Sequence, residues 1–218
     1  MHASARLARL ATARLYLILE AAPGGRDCVS IVEQALRGGV DIVQLRDKHL
    51  DDAGLVEAAR RIAAACDRAG ALFVLNDRPD LAADAHADGV HVGQDDVPVA
   101  EARRLAGPGR FIGLSTHAPA QIAAACAGEP GEGRAEYIGV GPVWETATKP
   151  GRAAVGLELV AEAARAATLP WFAIGGIDLG NAAQVAAAGA SRVAVVRAVR
   201  DAADPEAAAR AFRAALPA

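Results

Sequence analysis

The sequence has few cysteines, no long apolar run and no excess of basic charge, and each absence excludes a class of protein. Its cysteines, Cys28, Cys66 and Cys126, are far apart and form no Cys-x-x-Cys pair. This pattern disfavours a disulfide framework and a zinc site and is typical of a reducing compartment, so we expect a cytoplasmic protein. No apolar run approaches the roughly 20 residues that a membrane-spanning helix needs, so no membrane partner is expected.

The charge balance argues against nucleic acid as a partner. The formal net charge is -3, whereas electrostatic binding of nucleic acid requires a basic surface. Any recognition of phosphate must therefore come from a few local groups. Hydrophobic residues make up 53% of the chain, which is too many for a disordered protein.

Lysine is almost absent, because only Lys48 and Lys149 occur and all other members of the 23 basic residues are arginine. Lysine carries a compact ammonium with three rotatable donors, whereas arginine carries a planar fork. A position that keeps lysine in such a chain is a candidate for a role that requires the ammonium itself.

Short apolar runs recur along the 218 residues and predict eight strands. Their near-continuous hydrophobicity is typical of parallel strands that are buried on both faces. The predicted strands are Leu15–Leu19, Val40–Leu45, Leu72–Leu75, Gly89–Val92, Phe111–Leu114, Tyr137–Val140, Trp171–Ile174 and Arg192–Val196.

Stretches with helical propensity separate these runs. They predict helices at Val29–Arg37, Ala53–Ala69, Pro79–His86, Val99–Leu105, Gln121–Ala127, Leu157–Ala166, Leu179–Ala188 and Pro205–Ala215. Strand starts are about 25 residues apart, the length of one βα unit. We therefore predict a single α/β domain over residues 1–218, a (β/α)8 TIM barrel, and rank an open doubly wound sheet second.

Residues 1–14 contain three arginines and no acid, a composition that also occurs in transit peptides. The stretch is poor in serine, and Leu7, Leu10 and Tyr16 recur near helical spacing. We predict a short N-terminal helical extension that leads into the first strand.

Polar residues follow the second predicted strand, at the edge where barrels carry their chemistry. Alternation along a strand would place Gln44, Arg46 and Lys48 on one side, as an anion site. The alternative is that these side chains pair with acids of neighbouring strands.

The next two strands end in acids, Asp77 after Asn76 and Asp95-Asp96 after Gly93. One or two carboxylates together with substrate phosphate oxygens are typical ligands of Mg2+. For Asp95 or Asp96 the alternative is an N-cap of the helix near Pro98.

The remaining strand ends carry hydroxyls, a histidine and glycines. Ser115 is a candidate ligand after the fifth strand, and His117 is either a general base or a local hydrogen-bonding group.

Residues 141–151, after the sixth strand, are predicted to form an active-site loop. Gly175-Gly176 and Val196-Arg197 follow the seventh and eighth strands, where barrels often bind phosphate, although paired glycines also occur in tight turns. The pattern indicates two anion sites in one barrel mouth.

In order and combination, these segments resemble the thiamine-phosphate synthase family over nearly the whole chain. The motifs that carry the resemblance are Val43-Gln44-Leu45-Arg46-Asp47-Lys48, Leu75-Asn76-Asp77-Arg78, Gly89 through Asp96, Gly113-Leu114-Ser115-Thr116-His117, Tyr137 through Pro142 with Thr146-Ala147-Thr148-Lys149, and Ile174-Gly175-Gly176-Ile177.

The resemblance implies a transferase that condenses hydroxymethylpyrimidine diphosphate with a thiazole phosphate, giving thiamine phosphate and pyrophosphate with Mg2+. It implies catalytic roles for Ser115, Lys149, Arg46 and Lys48 and metal binding by Asp77 and Asp96. It assigns the pyrimidine diphosphate to Gln44, Leu45, Arg46, Asp47, Lys48, Asn76, Ser115 and Lys149. It assigns the thiazole phosphate to Thr146, Ala147, Thr148, Gly176, Val196 and Arg197.

The family mechanism is dissociative, so electrostatic stabilisation of the leaving pyrophosphate matters more than a strong base. The sequence departs from the family at Glu145, where many members have an uncharged residue, and at Arg197, where others have serine. The alternatives are a related thiazole tautomerase, which would not use the diphosphate and metal residues, and a non-catalytic sensor of thiamine precursors. The expected partners are small phosphorylated molecules, and a homo-oligomer is compatible with the sequence.

Overall fold

The computed structural model describes residues 2–127, 131, 133–146 and 153–217. Its strands are β1 (Leu15–Leu19), β2 (Ile42–Leu45), β3 (Leu72–Asn76), β4 (Gly89–Val92), β5 (Phe111–Thr116), β6 (Tyr137–Val140), β7 (Trp171–Ile174) and β8 (Val193–Val195). Its helices are α1 (Ala3–Thr12), α2 (Cys28–Arg37), α3 (Asp52–Ala69), α4 (Val99–Ala106), α5 (Pro119–Cys126), α6 (Gly156–Ala166), α7 (Ala182–Ala187), α8 (Arg197–Arg200) and α9 (Pro205–Ala215).

The strands form one closed parallel barrel in chain order, in which β1 pairs with both β2 and β8. Tyr16 is the register partner of Ile42 on one side and of Ala194 on the other. Closure confirms the predicted (β/α)8 barrel and excludes the open doubly wound sheet. No helix in the described part of the chain is both long and apolar enough to cross a membrane.

The predicted strands are confirmed with small shifts at their ends. β3 extends to Asn76 and β5 extends to Thr116, so Asn76 and Ser115 lie within strands rather than after them. A residue inside the ladder has a fixed backbone and a side-chain direction set by alternation. Asn76 and Ser115 are therefore held more firmly than loop residues would be.

The predicted helix Pro79–His86 is wrong. Only Pro79–Leu81 forms a single 3-10 turn, and His86 adopts a φ of 55°, outside the helical region. The connection instead buries Ala82, Ala85 and Ala87. Alanine has high helix propensity, but propensity is a weak prior that tertiary packing overrides. The four-residue helix α8, directly after β8, was not predicted.

The apolar side chains form two separate clusters. The larger cluster packs the outer face of the strands against the helices, whereas the smaller cluster fills the inside of the barrel. Aromatic rings dominate the inner cluster, with Tyr16, Phe111, Tyr137 and Phe172 all at most 2% exposed. The barrel interior is therefore a packed core and not a pore.

Helix α1 belongs to the inner cluster, and the predicted N-terminal helix is confirmed. Leu10 is 1% exposed and packs with the residues inside the barrel. Arg6 Nε donates to Asp88 Oδ1 at 2.6 Å, while the other carboxylate oxygen of Asp88 accepts the Phe73 N–H. Arg192 donates to the carbonyl oxygens of Ala11 and Ala13. The helix thus closes the barrel at the end where the strands begin.

We predict that Leu10→Ala destabilises the protein by about 2–5 kcal/mol, because it leaves a cavity in the inner cluster. The matched control is Leu7→Ala in the same helix, where the side chain is 45% exposed, and we expect a change within about 0.5 kcal/mol. Urea unfolding of both variants measures the difference. Equal effects of the two substitutions would show that α1 does not close the barrel.

Candidate active site

A cavity of about 440 Å³ opens at the carboxyl ends of the strands. Every strand, or the segment that follows it, contributes to its wall, from Ile18 of β1 to Ala194 of β8. Eight of the residues that the resemblance assigns to substrate binding line this cavity. They are Gln44, Arg46, Asn76, Ser115, Thr146, Gly176, Val196 and Arg197.

Arg46 is the cationic side chain on the β2 side of the cavity. Its Nε is buried without a hydrogen-bond partner, and no described carboxylate forms an ion pair with Arg46 or Lys48. The structure therefore disfavours the alternative that these cations pair with acids of neighbouring strands. A buried N–H that lacks an acceptor is costly, so an anion in the cavity would satisfy Arg46.

The alternation expected for Gln44, Arg46 and Lys48 holds only for the first two. β2 ends at Leu45, and the chain then bends, so Lys48 is exposed and does not line the cavity. Leu45 is buried in the outer cluster. Asp47 accepts hydrogen bonds from the backbone of Ala21, His49 and Leu50, which stabilises the turn. The expected substrate contacts of Leu45, Asp47 and Lys48 stay predictions.

Asp77 and Asp96 follow neighbouring strands, but neither lines the cavity. The Asp77 N–H donates to the His91 carbonyl at 2.9 Å, and Asp77 has a positive φ of 58°. Asp96 Oδ2 accepts the Gly93 N–H at 2.7 Å. Helix α4 has Pro98 at its N-cap and no side-chain cap, so the N-cap alternative for Asp95 and Asp96 is wrong.

The carboxylates at these two strand ends fit a magnesium ion that takes most of its ligands from substrate. Within the described ranges there is no cluster of three or more metal-binding side chains, as a site built from protein alone would need. Magnesium is commonly bound by one or two carboxylates together with phosphate oxygens. Asp77 and Asp96 follow the paired strands β3 and β4 and have carboxylate oxygens of the kind that Mg2+ binds, so their role as metal ligands stays a prediction.

Buried polar groups form the floor of the cavity. Gln44 is 2% exposed and donates from Nε2 to the Tyr16 hydroxyl. Ser115 is 7% exposed, and its Oγ lies 2.9 Å from His91 Nε2. Sequence reasoning assigned no role to His91 or Tyr16, although both occupy inward-facing positions of strands. A polar residue within an otherwise apolar strand was the signal that could have identified them.

His117 lines the cavity but is engaged locally. Its backbone N–H donates to Gln121 Oε1 at 2.7 Å, and its Nδ1 hydrogen-bonds to the Gly141 carbonyl oxygen. A carbonyl oxygen can only accept, so Nδ1 carries the proton. The local hydrogen-bonding role of His117 is therefore present, and its role as a general base through Nε2 stays an open alternative.

The opposite wall consists of the segments after β7 and β8. Gly175 and Gly176 have φ values of 104° and 67° and pack so closely on the β6 segment that a Cβ on Gly175 would lie 2.5 Å from Pro142 Cα. Asn181 donates to the Gly176 carbonyl at 2.8 Å and accepts the Asp178 N–H. The paired glycines form a tight turn and line the cavity, and their contact with phosphate stays a prediction.

Helix α8 is fixed at the cavity by its last residue. Arg200 forms ion pairs with Glu20, which follows β1, at 2.6 Å and with Asp201 at 2.7 Å. Arg26 donates to the Arg200 carbonyl. The Arg200 side chain is 15% exposed, so these charged contacts are partly screened from water. No local sequence pattern indicates this support, because the residues are distant in the chain.

The segment after β6 is described up to Thr146, which lines the cavity, while Glu145 is exposed. Ala147, Thr148 and Lys149 lie outside the described residues, so their expected contacts with substrate stay predictions.

Comparison with known proteins identifies the family. The family model described as thiamine monophosphate synthase matches residues 15–199. A thiamine-phosphate synthase of Arthrobacter sp. (strain FB24) is 51% identical over 228 residues, with 96% of each chain covered. A thiamine-phosphate synthase of Streptomyces avermitilis is 49% identical, with 94% of each chain covered.

A solved structure agrees with the sequence relatives. The thiamine phosphate pyrophosphorylase from Pyrococcus furiosus superposes with a TM-score of 0.82 at 29% identity, covering 94% of this chain and 96% of that one. On these grounds, the chain is a transferase that belongs to the thiamine monophosphate synthase family.

Proposed function

We propose that the protein condenses 4-amino-2-methyl-5-hydroxymethylpyrimidine diphosphate with a thiazole phosphate to give thiamine phosphate and pyrophosphate. The observation that carries this proposal is a single cavity with two polar walls. Arg46 on one wall has a buried Nε without a partner, and Gly176 and Arg197 lie on the other. Two phosphorylated substrates can therefore bind with their reacting atoms between the walls.

The Arg46 wall suits the diphosphate. A guanidinium is permanently charged and matches phosphate geometry with paired donors. Gln44, Asn76 and Ser115 line the same part of the cavity and supply polar contacts for the pyrimidine and its diphosphate. The proposal also includes Lys48, which is exposed after β2, and Lys149, which lies outside the described residues, as ammonium groups that reach the leaving pyrophosphate.

The opposite wall suits the single phosphate of the thiazole. No described backbone carbonyl accepts the N–H of Gly176 or Arg197, so these amides are available to an anion. Thr146 lines the cavity beside them and provides a hydroxyl. Arg197 adds a positive charge where the family pattern has serine, and a charge-assisted contact with phosphate is stronger than a neutral one.

Asp77 and Asp96 would hold Mg2+ against the diphosphate oxygens. Bound there, the ion would neutralise charge that develops on the departing pyrophosphate. The rest of the site acts through position and charge. Arg46 and the two lysines stabilise the same charge, and the packed floor restricts the entry of water from the barrel interior.

The proposed reaction is a dissociative substitution at the pyrimidine methylene carbon. The bond from this carbon to the diphosphate oxygen breaks first, and the electron pair leaves with pyrophosphate. The aminopyrimidine ring delocalises the resulting positive charge. The thiazole nitrogen then donates its lone pair to form the new carbon–nitrogen bond. No proton has to be removed, so the proposed reaction requires no general base.

The proposed partners are small phosphorylated molecules, without nucleic acid or membrane, and the proposed location is the cytoplasm. The net charge of -3 supports the exclusion of nucleic acid.

We expect the purified protein to form thiamine phosphate and pyrophosphate in equal amounts from the two substrates when Mg2+ is present, and neither product in EDTA. Arg46→Gln should reduce turnover at least about 100-fold, because it removes a charge that stabilises the leaving group. Arg60→Gln, on the exposed face of α3, is the matched control. No product under any condition would contradict the proposal and favour a tautomerase or a sensor.

We expect Asp77→Asn to lower turnover at least about 100-fold and to raise the Mg2+ concentration needed for half-maximal rate. Asparagine tolerates the positive φ at this position and removes only the charge. Asp84→Asn, an exposed carboxylate in the same connection between β3 and β4, should change neither quantity. Near-normal turnover of Asp77→Asn would remove Asp77 from the metal site.

We expect Arg197→Ser to raise the KM for the thiazole phosphate a few-fold and to leave kcat nearly unchanged. The substitution removes a charge next to one substrate, whereas the amides of the same wall stay in place. Steady-state kinetics with each substrate varied in turn measures the effect. A hundredfold drop in kcat would show that Arg197 acts on the chemical step.

A further inference from the structure

A chain of hydrogen bonds runs through the barrel interior and joins two residues of the cavity wall. Gln44 Nε2 lies 2.7 Å from the Tyr16 hydroxyl, which lies 2.9 Å from the Tyr137 hydroxyl. The Tyr137 hydroxyl lies 2.9 Å from His91 Nδ1, and His91 Nε2 lies 2.9 Å from Ser115 Oγ. We call these five residues the floor chain. Gln44 and Ser115 are its ends, and both line the cavity.

The donors of the floor chain follow one direction. Gln44 donates an amide N–H to Tyr16, so the Tyr16 hydroxyl directs its own hydrogen to Tyr137. Tyr137 then donates to His91 Nδ1, which must be unprotonated to accept. The imidazole proton consequently lies on Nε2, which donates to Ser115 Oγ. The hydroxyl hydrogen of Ser115 is left to point to the cavity.

We propose that Tyr16, Tyr137 and His91 are positioning residues that make Ser115 a hydrogen-bond donor to the substrate. With the opposite tautomer of His91, the Ser115 hydroxyl would donate its hydrogen to Nε2. Only the lone pairs of Ser115 Oγ would then face the cavity. The assignment of Ser115 as a substrate contact rests on the proposed function. The direction of the floor chain does not, since it follows from contacts within the protein.

The register of the barrel explains how Tyr137 reaches His91. Gly113 of β5 is the register partner of His91 of β4 on one side and of Tyr137 of β6 on the other. A Cβ on Gly113 would lie 2.1 Å from Tyr137 Cζ. The missing side chain therefore leaves room for the ring to cross β5. Any other residue at position 113 would separate the phenol from the imidazole.

Burial keeps the floor chain intact. Tyr16 and Tyr137 are almost fully shielded from solvent, and this burial raises the pKa of both phenols above the ordinary value. Both hydroxyls therefore retain their hydrogens at neutral pH. Phe111 and Phe172 fill neighbouring space in the same cluster without any hydroxyl. A buried hydroxyl adds nothing to packing that phenylalanine lacks, so the two phenols are expected to serve the floor chain.

A donor at Ser115 selects the substrate group that faces it. That group must accept a hydrogen bond, as a diphosphate oxygen or a ring nitrogen does. An acceptor that gains negative charge during the reaction forms a stronger hydrogen bond as the charge develops, which lowers the barrier. The polarity fixed by the floor chain thus acts on kcat more than on binding.

The first test reads the tautomer of His91 directly, in the full-length protein without substrate. Two-bond 1H–15N correlation spectra of 15N-histidine protein should show a pyrrole-type Nε2 and a pyridine-type Nδ1 for His91, assigned with His91→Gln. In Tyr137→Phe the Nδ1 loses its donor, so these two shifts should move towards the averaged or opposite pattern. A pyridine-type Nε2 in the unmodified protein would overturn the proposal.

The second test separates positioning from packing. Tyr137→Phe keeps the ring and should lower kcat about 10- to 100-fold with less than about a threefold change in KM. The matched control is Thr116→Val, which removes a buried hydroxyl next to Ser115 that bonds to the Gly139 carbonyl outside the floor chain. Thr116→Val should leave kcat and the His91 spectrum unchanged. Unchanged kcat in Tyr137→Phe would overturn the proposal.

A further variant covers the case in which Tyr137→Phe does not fold. Tyr16→Phe removes the donor to Tyr137 one step earlier in the floor chain and should also disturb the His91 tautomer. An undisturbed tautomer in Tyr16→Phe would overturn the proposal. Failure of the proposed function can be distinguished from failure of this inference. If the unmodified protein does not couple the two substrates, the proposed function fails, and the His91 spectra still test the direction of the floor chain.

Discussion

Closing eight strands into a barrel creates an interior that must be filled, and the way it is filled determines the rest of the molecule. Large rings from β5 and β6 lie against glycines of the preceding strand, Phe111 opposite Gly89 and Tyr137 opposite Gly113. A Cβ at either glycine would lie less than 3 Å from the ring. These pairs fill the barrel interior, and none of their four residues lines the cavity.

The two sides of the cavity are supported in different ways. On the β2 to β5 side, strands reach the cavity themselves, so Gln44 and Ser115 are held by the ladder and by buried partners. On the β7 and β8 side, turns and the short helix α8 form the wall, and their support comes from Asn181 and from the ion pairs of Arg200. The β2 to β5 wall is therefore held by strand pairing and buried hydrogen bonds. The β7 and β8 wall is held by a side-chain hydrogen bond to the backbone and by ion pairs.

Sequence reasoning predicted the barrel because parallel strands buried on both faces produce continuous apolar runs. It placed the ends of β3 and β5 too early, since Asn76 and Ser115 are polar and resemble loop residues. It failed for Pro79–His86, where an alanine-rich stretch packs as a turn. Alternation along the strand correctly predicted that Gln44 and Arg46 face the cavity, but it failed for Lys48, because β2 ends at Leu45.

The floor chain could not be predicted in the same way. Tyr16 and Tyr137 are separated by 121 residues, and their contact depends on closure of the barrel and on a glycine in a third strand. No local pattern encodes such a three-strand arrangement. The residues that surround a substrate are therefore easier to identify from sequence than the residues that orient them.

Arginines away from the cavity and Arg46 inside it have different surroundings. Arginines distant from the cavity, such as Arg6, Arg37 and Arg68, form ion pairs with carboxylates of other segments. Arg46 lines the cavity with a buried Nε that has no partner. An unsatisfied buried donor costs about 1–3 kcal/mol, and a nearby carboxylate would remove this cost. Such a carboxylate would also repel an anionic substrate, so the destabilising arrangement is the one that a phosphate-binding cavity requires.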